Sequence, residues 1–130
     1  MKKPKIKVTI LKEDSGYSAT AIIGKDFIGT QGETFEELKA NILEAVNLAF
    51  EDNEIVYTFD EFDLTLDLPS FFNFFKVINA KALSERIGMN QSLLAQYISG
   101  KKKPSANQAQ RILMGVQQIG KELSEIRFLI

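Results

Sequence analysis

Hydrophobic positions in this chain recur first at a two-residue and then at a three-to-four-residue period. Residues 5–12 set Ile6, Val8 and Ile10 against Lys7, Thr9 and Lys12, the pattern of a strand with one buried face. Asp14, Ser15 and Gly16 supply a turn, and residues 17–23 (YSATAII) read as a second strand. After Gly24, Lys25 and Asp26, residues 27–30 complete a three-stranded antiparallel meander with one apolar face. The period then changes. Across residues 34–52, Phe35, Leu38, Ile42, Ala45, Val46, Ala49 and Phe50 form a helical stripe suited to cover that face. Thr34 and Glu37 stand at the spacing of a capping box, which fixes where the helix begins. Residues 61–68 (EFDLTLDL) return to alternation as a fourth strand, so the predicted order is β-β-β-α-β.

Pro69 and Ser70 mark a change of domain, because proline interrupts a strand ladder and suits the first turn of a helix. Phe71, Phe72, Phe74, Phe75, Val77 and Ile78 follow at helical spacing and read as the core stripe of the first helix of a small all-α domain. A second helix over residues 81–87 turns Ala82, Leu83 and Ile87 inward and stops at Gly88, a residue type suited to the left-handed conformation. Asn90 caps the next helix, residues 91–99. With Leu94 and either Tyr97 or Ile98 inward, Gln91, Ser92 and Gln96 remain outward and Leu93 falls on the margin. Lys101, Lys102 and Lys103 form a loop closed by Pro104, and Ser105 with Gln108 is a second capping box, opening a helix that carries Ala109, Ile112, Leu113 and Val116. Beyond Gly120, Leu123, Ile126, Leu129 and Ile130 lie near one face, which either folds back or pairs with a second copy. The expected fold class is α+β, with an α+β domain over residues 1–68 and an all-α domain over 69–130.

Charge divides at the same place. Residues 1–68 hold 7 basic and 14 acidic side chains, a balance of −7, and residues 69–130 hold 9 and 3, a balance of +6. The overall −1 conceals this split. The basic half gains counterion-release free energy on meeting a phosphate backbone, whereas the acidic half is better matched to a basic protein.

Composition excludes much catalytic chemistry. There is no cysteine and no histidine, which removes the disulfide, the thiolate nucleophile, the thiolate zinc site and the commonest general base. Asp63 and Asp67 share a strand face but lie roughly 13 Å apart by strand rise, and Asp14, Asp26 and Asp60 sit in turns. These carboxylates do not converge as two-metal phosphodiester cleavage requires. An enzyme is therefore not expected, nor a metal or other cofactor. No apolar run approaches a membrane span, and the lysine-rich start leads into alternation rather than an apolar signal block, so a cytoplasmic protein without a membrane partner is expected.

Residues 16–46 (GYSATAIIGKDFIGTQGETFEELKANILEAV) resemble the N-terminal domain of HicB-type antitoxins, through Gly16 and Tyr17 opening a strand and Thr30, Gln31 and Gly32 leading into a helix. Residues 24–29 (GKDFIG) depart from the proline-containing segment common there. Residues 79–119 resemble the Xre or Cro-like repressor helix-turn-helix, matching without a gap from Gly88 to Ser105. They depart from it at Ala80, often a phosphate-anchoring Gln, and at Ile98 and Ser99, often Glu-Arg. The first resemblance implies a partial RNase H-like fold that is not a nuclease and masks a small basic toxin, a HicA-type mRNA interferase. The second implies that Gln91, Ser92 and Gln96 face base edges of a double-stranded operator, while Asn90, Lys81 and Lys101, Lys102 and Lys103 meet phosphates or adjacent backbone. Two half-sites require two recognition helices, hence a homodimer or higher even oligomer. Together they imply an antitoxin that represses its own operon. The alternative is a stand-alone dimeric transcription regulator whose first domain senses a ligand or oligomerises.

Overall fold

In a computed structural model that describes residues 3–130, the chain is α+β, with a four-stranded mixed sheet and five α-helices. It divides into two compact units, one ending at Phe74 and one running from Phe75 to Ile130.

The first unit is built on β1 (Ile6–Lys12), β2 (Tyr17–Ile23) and β3 (Asp26–Gly32), an antiparallel meander as the alternation predicts. The third strand is longer than residues 27–30, because pairing with β2 continues until Gly32 stands opposite Tyr17. Helix α1 (Phe35–Ala49) covers one face and buries Leu38, Ile42 and Val46 completely against Ile6, Val8, Ile10, Ala19 and Ala21. Burial of each large aliphatic contributes about 1.5–3 kcal/mol. The Thr34 hydroxyl accepts from the Glu37 amide at 3.1 Å. The reciprocal contact expected from Glu37 is not made among the described residues. A carboxylate of that kind acts instead at Thr58, whose amide donates to Glu61 at 2.9 Å.

The fourth strand, β4 (Phe62–Leu66), lies beside β1 and parallel to it, so the sheet order is β3-β2-β1-β4. Local pattern marks a strand but not its neighbour. The crossover through α1 carries the chain from one edge of the sheet to the other, where β1 still has an open ladder.

Asp67 ties the end of this sheet to the next helix. Its carboxylate accepts from the Lys12 amide at 2.8 Å and from the Ser70 amide at 2.9 Å, and so caps α2 (Leu68–Phe74). Here the structure moves the expected boundary. The aromatic run does not open the helical unit. Phe74 stacks on Phe35 at a centroid distance of 3.9 Å and packs tilted against Tyr17 at 4.7 Å, and Asn73 donates to the Tyr17 hydroxyl at 2.9 Å. These contacts hold α2 to the sheet unit, which therefore ends after residue 74 and not residue 68.

Gly32 shows why the strand-to-helix passage needs its glycine. A Cβ there would stand 2.7 Å from the Leu38 amide nitrogen, so the first turn of α1 settles directly on the strand backbone.

The second unit contains α3 (Ala80–Ile87), α4 (Gln91–Ser99) and α5 (Ala106–Ser124). Leu83, Met89, Leu94, Tyr97 and Ile112 form its buried apolar set, which resolves the choice between Tyr97 and Ile98 in favour of Tyr97. Helix α5 runs through Gly120 and continues to Ser124. Gly115 lets α5 approach α3 closely, since a Cβ there would collide with the side chain of Ile87.

Candidate nucleic-acid interface

The two helices that carry half of the candidate side chains are held by caps at three points. Asn79 accepts from the Ala82 amide at 2.9 Å and starts α3. Gly88, at φ +68°, ends it in the left-handed region, and the Met89 amide donates back to the Ser84 carbonyl at 2.9 Å. Asn90 then accepts from the Leu93 amide at 3.1 Å and starts α4. Gly88, Met89 and Asn90 are the whole connection, and Met89 is buried under it.

A side chain that sequence reading did not single out locks this connection. Arg111 on α5 donates from Nη2 to the carbonyls of Ile87 at 2.8 Å and Gly88 at 2.7 Å, and from Nε to Ile87 at 3.2 Å. The last carbonyls of α3 lack partners within the helix, and a cation at that end also meets the negative pole of the helix dipole. An arginine in the middle of a predicted helix carries no local sign of this role. Only the crossing of α5 against the end of α3 reveals it.

With Leu94 and Tyr97 buried, α4 turns Gln91, Ser92, Ala95, Gln96 and Ser99 to solvent. At about 100° per residue these five fall within roughly 140° of the helix circumference, a single face. The face carries amide and hydroxyl groups and no charge. Ala95, which the sequence pattern left unassigned, lies within it between the two glutamines, and Leu93 is half-buried at its margin, as expected. Gln91, Ser92 and Gln96 are thus brought together on one surface.

The expected phosphate contacts sit around that surface. Asn90 commits its side-chain oxygen to capping, which leaves its amide NH2 as the free donor. Gly100, at φ +82°, ends α4, and the Lys102 amide donates back to the Gln96 carbonyl at 3.2 Å, folding the lysine loop against the last turn. Lys101, Lys102 and Lys103 are all exposed there, and Lys81 is exposed in the first turn of α3. The Ser105 hydroxyl accepts from the Gln108 amide at 3.2 Å and starts α5 immediately after the loop. Only this half of the second box expected from the sequence is formed among the described residues.

The two carboxylates that share a strand face in the first unit are engaged in structure. Asp63 pairs with Lys5 at 3.2 Å, and Asp67 caps α2. Among the described residues no three acidic side chains stand close enough to hold a metal ion, and no helix is long and apolar enough to cross a membrane. Comparison with protein-family models, curated proteins and solved structures finds none that matches this chain.

Proposed function

We propose that this protein is a dimeric, HicB-like antitoxin that reads double-stranded DNA through α4 and masks a small basic toxin with its acidic first unit. The observation that carries the DNA-binding half is the uncharged polar face of α4, Gln91, Ser92 and Gln96, bordered by the exposed lysines 101–103. Glutamine can bond both edge groups of adenine, serine can donate or accept, and Ala95 offers a methyl to thymine. The three lysines supply the sequence-independent phosphate attraction on which such reading rests. In this reading α3, the Gly88 turn and α4 are a helix-turn-helix, and the first unit is a partial RNase H-like domain used for covering rather than cutting.

Its balance of −7 over residues 1–68 supports a basic partner. The partner class is a HicA-type mRNA interferase.

The test uses the full chain and the DNA that flanks its own coding region. Fluorescence anisotropy is expected to show saturable binding that survives competitor DNA. Lys101→Ala, Lys102→Ala and Lys103→Ala combined should lower the log-log salt slope by about 0.9 for each lost phosphate contact. Binding that is absent, or indifferent to the triple change, overturns the DNA-reading half. Affinity purification from native flanking DNA tests the other half, with a small basic protein at equal abundance as the expected companion. Recovery of the chain alone would move the assignment to the stand-alone regulator.

A further inference from the structure

The helical unit leaves open an apolar groove of about 560 Å³ between α3 and the second half of α5. Val77, Ile78, Ala82, Ile119 and Leu123 line it. The same unit also leaves an apolar segment uncovered. Three residues beyond Leu123 the chain reaches Ile126, then Arg127, Phe128, Leu129 and Ile130, with Phe128, Leu129 and Ile130 at 87%, 104% and 117% exposure. The groove and the segment therefore lie next to each other along one chain, each uncovered by anything else among the described residues.

From this we infer that two copies of the chain exchange these segments, residues 126–130 of each occupying the α3–α5 groove of the other. Charge selects this occupant. Of the two ionised groups lining the groove, Arg86 is paired with Glu122, which leaves Glu85 without an ion-pair partner among the described residues. The segment carries one cation, Arg127, likewise without an ion-pair partner among them. A two-fold axis makes the exchange reciprocal, so each copy offers one groove and one segment and neither is left over to propagate a filament. Two seats double the area covered, bringing a short segment-in-groove contact toward the roughly 1,200–2,000 Å² of a stable interface. The inference rests on the dimeric part of the function proposed above and is independent of what α4 reads.

Sedimentation equilibrium of the full chain at micromolar concentration tests it. The wild type is expected at twice 14.6 kDa. Phe128→Asp with Leu129→Asp should sediment at the single-chain mass, with an unchanged circular dichroism spectrum because both side chains are exposed. Glu85→Arg and Arg127→Glu should each weaken association by at least about tenfold, a change of roughly 1.4 kcal/mol, and the two together should restore it. Restoration in the double variant is the result a merely sticky segment would not give. A wild-type dimer untouched by the aspartates, or a double variant no tighter than the singles, overturns the exchange while leaving dimerisation standing. A wild-type monomer overturns both.

Discussion

Among the described residues the first unit buries twelve apolar side chains and exposes six large ones, whereas the helical unit buries five and exposes nine. Their chemistry differs in the same sense. The sheet unit covers its aliphatic strands with α1 and with aromatic packing from Phe35, Phe59 and Phe74. The helical unit holds its shape with caps and one arginine, and leaves the flank of α5 uncovered. A domain that spends little surface on its own core has surface available for others, and a small core is correspondingly sensitive to damage.

The largest effect expected from this contrast concerns the cores. Leu83→Ala and Ile42→Ala each remove a fully buried side chain at a cost of about 2–5 kcal/mol. In the helical unit that loss should suffice to separate unfolding into two transitions, with helix content lost first. Ile42→Ala should lower the later transition. Denaturant melts followed by circular dichroism decide it, and one shared transition shifting equally in both variants would break the comparison.

Next come changes that, on the proposed DNA-reading function, should alter binding without stability. Gln91→Ala and Gln96→Ala should each weaken operator binding by about 1–3 kcal/mol and relax sequence preference, with melting unchanged because both side chains are exposed. A matching loss of helix content would mean that α4 needs these side chains to fold.

Arg111→Ala sharpens the contrast further. It should lower the stability of the helical unit by about 1 kcal/mol, less than a buried charged hydrogen bond because the side chain is exposed, and leave the first unit's transition in place. The smallest effect is in acid. The Arg86 hydrogen bond, with Gln118 beside it, holds Glu122 below the ordinary glutamate value, and the Thr58 amide, with Lys3, does the same for Glu61. Both groups contribute stability that is complete above pH 4.5, the ordinary value, and is lost as pH falls through their lowered values. Glu122→Gln should therefore blunt the acid sensitivity of the helical unit, and Glu61→Gln that of the first unit. Melting midpoints across the acid range report each, and a crossed response would mean the two units are not separate.

Elements whose pattern is local were legible in the chain itself. Alternation located β1 and β2, helical spacing with Thr34 located α1, and Asn90 with Gly88 located α4 and the turn before it. What was not legible depends on partners distant in sequence. The parallel pairing of β4 with β1 follows from which strand edge is open after the crossover. The aromatic run of α2 has helical spacing whichever unit it joins, and only the stacking of Phe74 on Phe35 assigns it. Within the candidate interface, the outward positions of Gln91, Ser92 and Gln96 follow from period alone. Arg111 could not be found this way, because its role lies in a contact 23 to 24 residues away.

That contact has a consequence for motion. One guanidinium joins the end of α3, the turn and α5, so opening the turn by itself costs about 1 kcal/mol more than it would without Arg111. The Met89 backbone amide, bonded to the Ser84 carbonyl, should therefore exchange with solvent faster in Arg111→Ala than in the wild type, and α4 keeps its orientation against α5 better with the arginine present. In the proposed DNA-reading function, an α4 face held this way would meet its ligand with much of its ordering entropy already spent in folding rather than at the moment of binding.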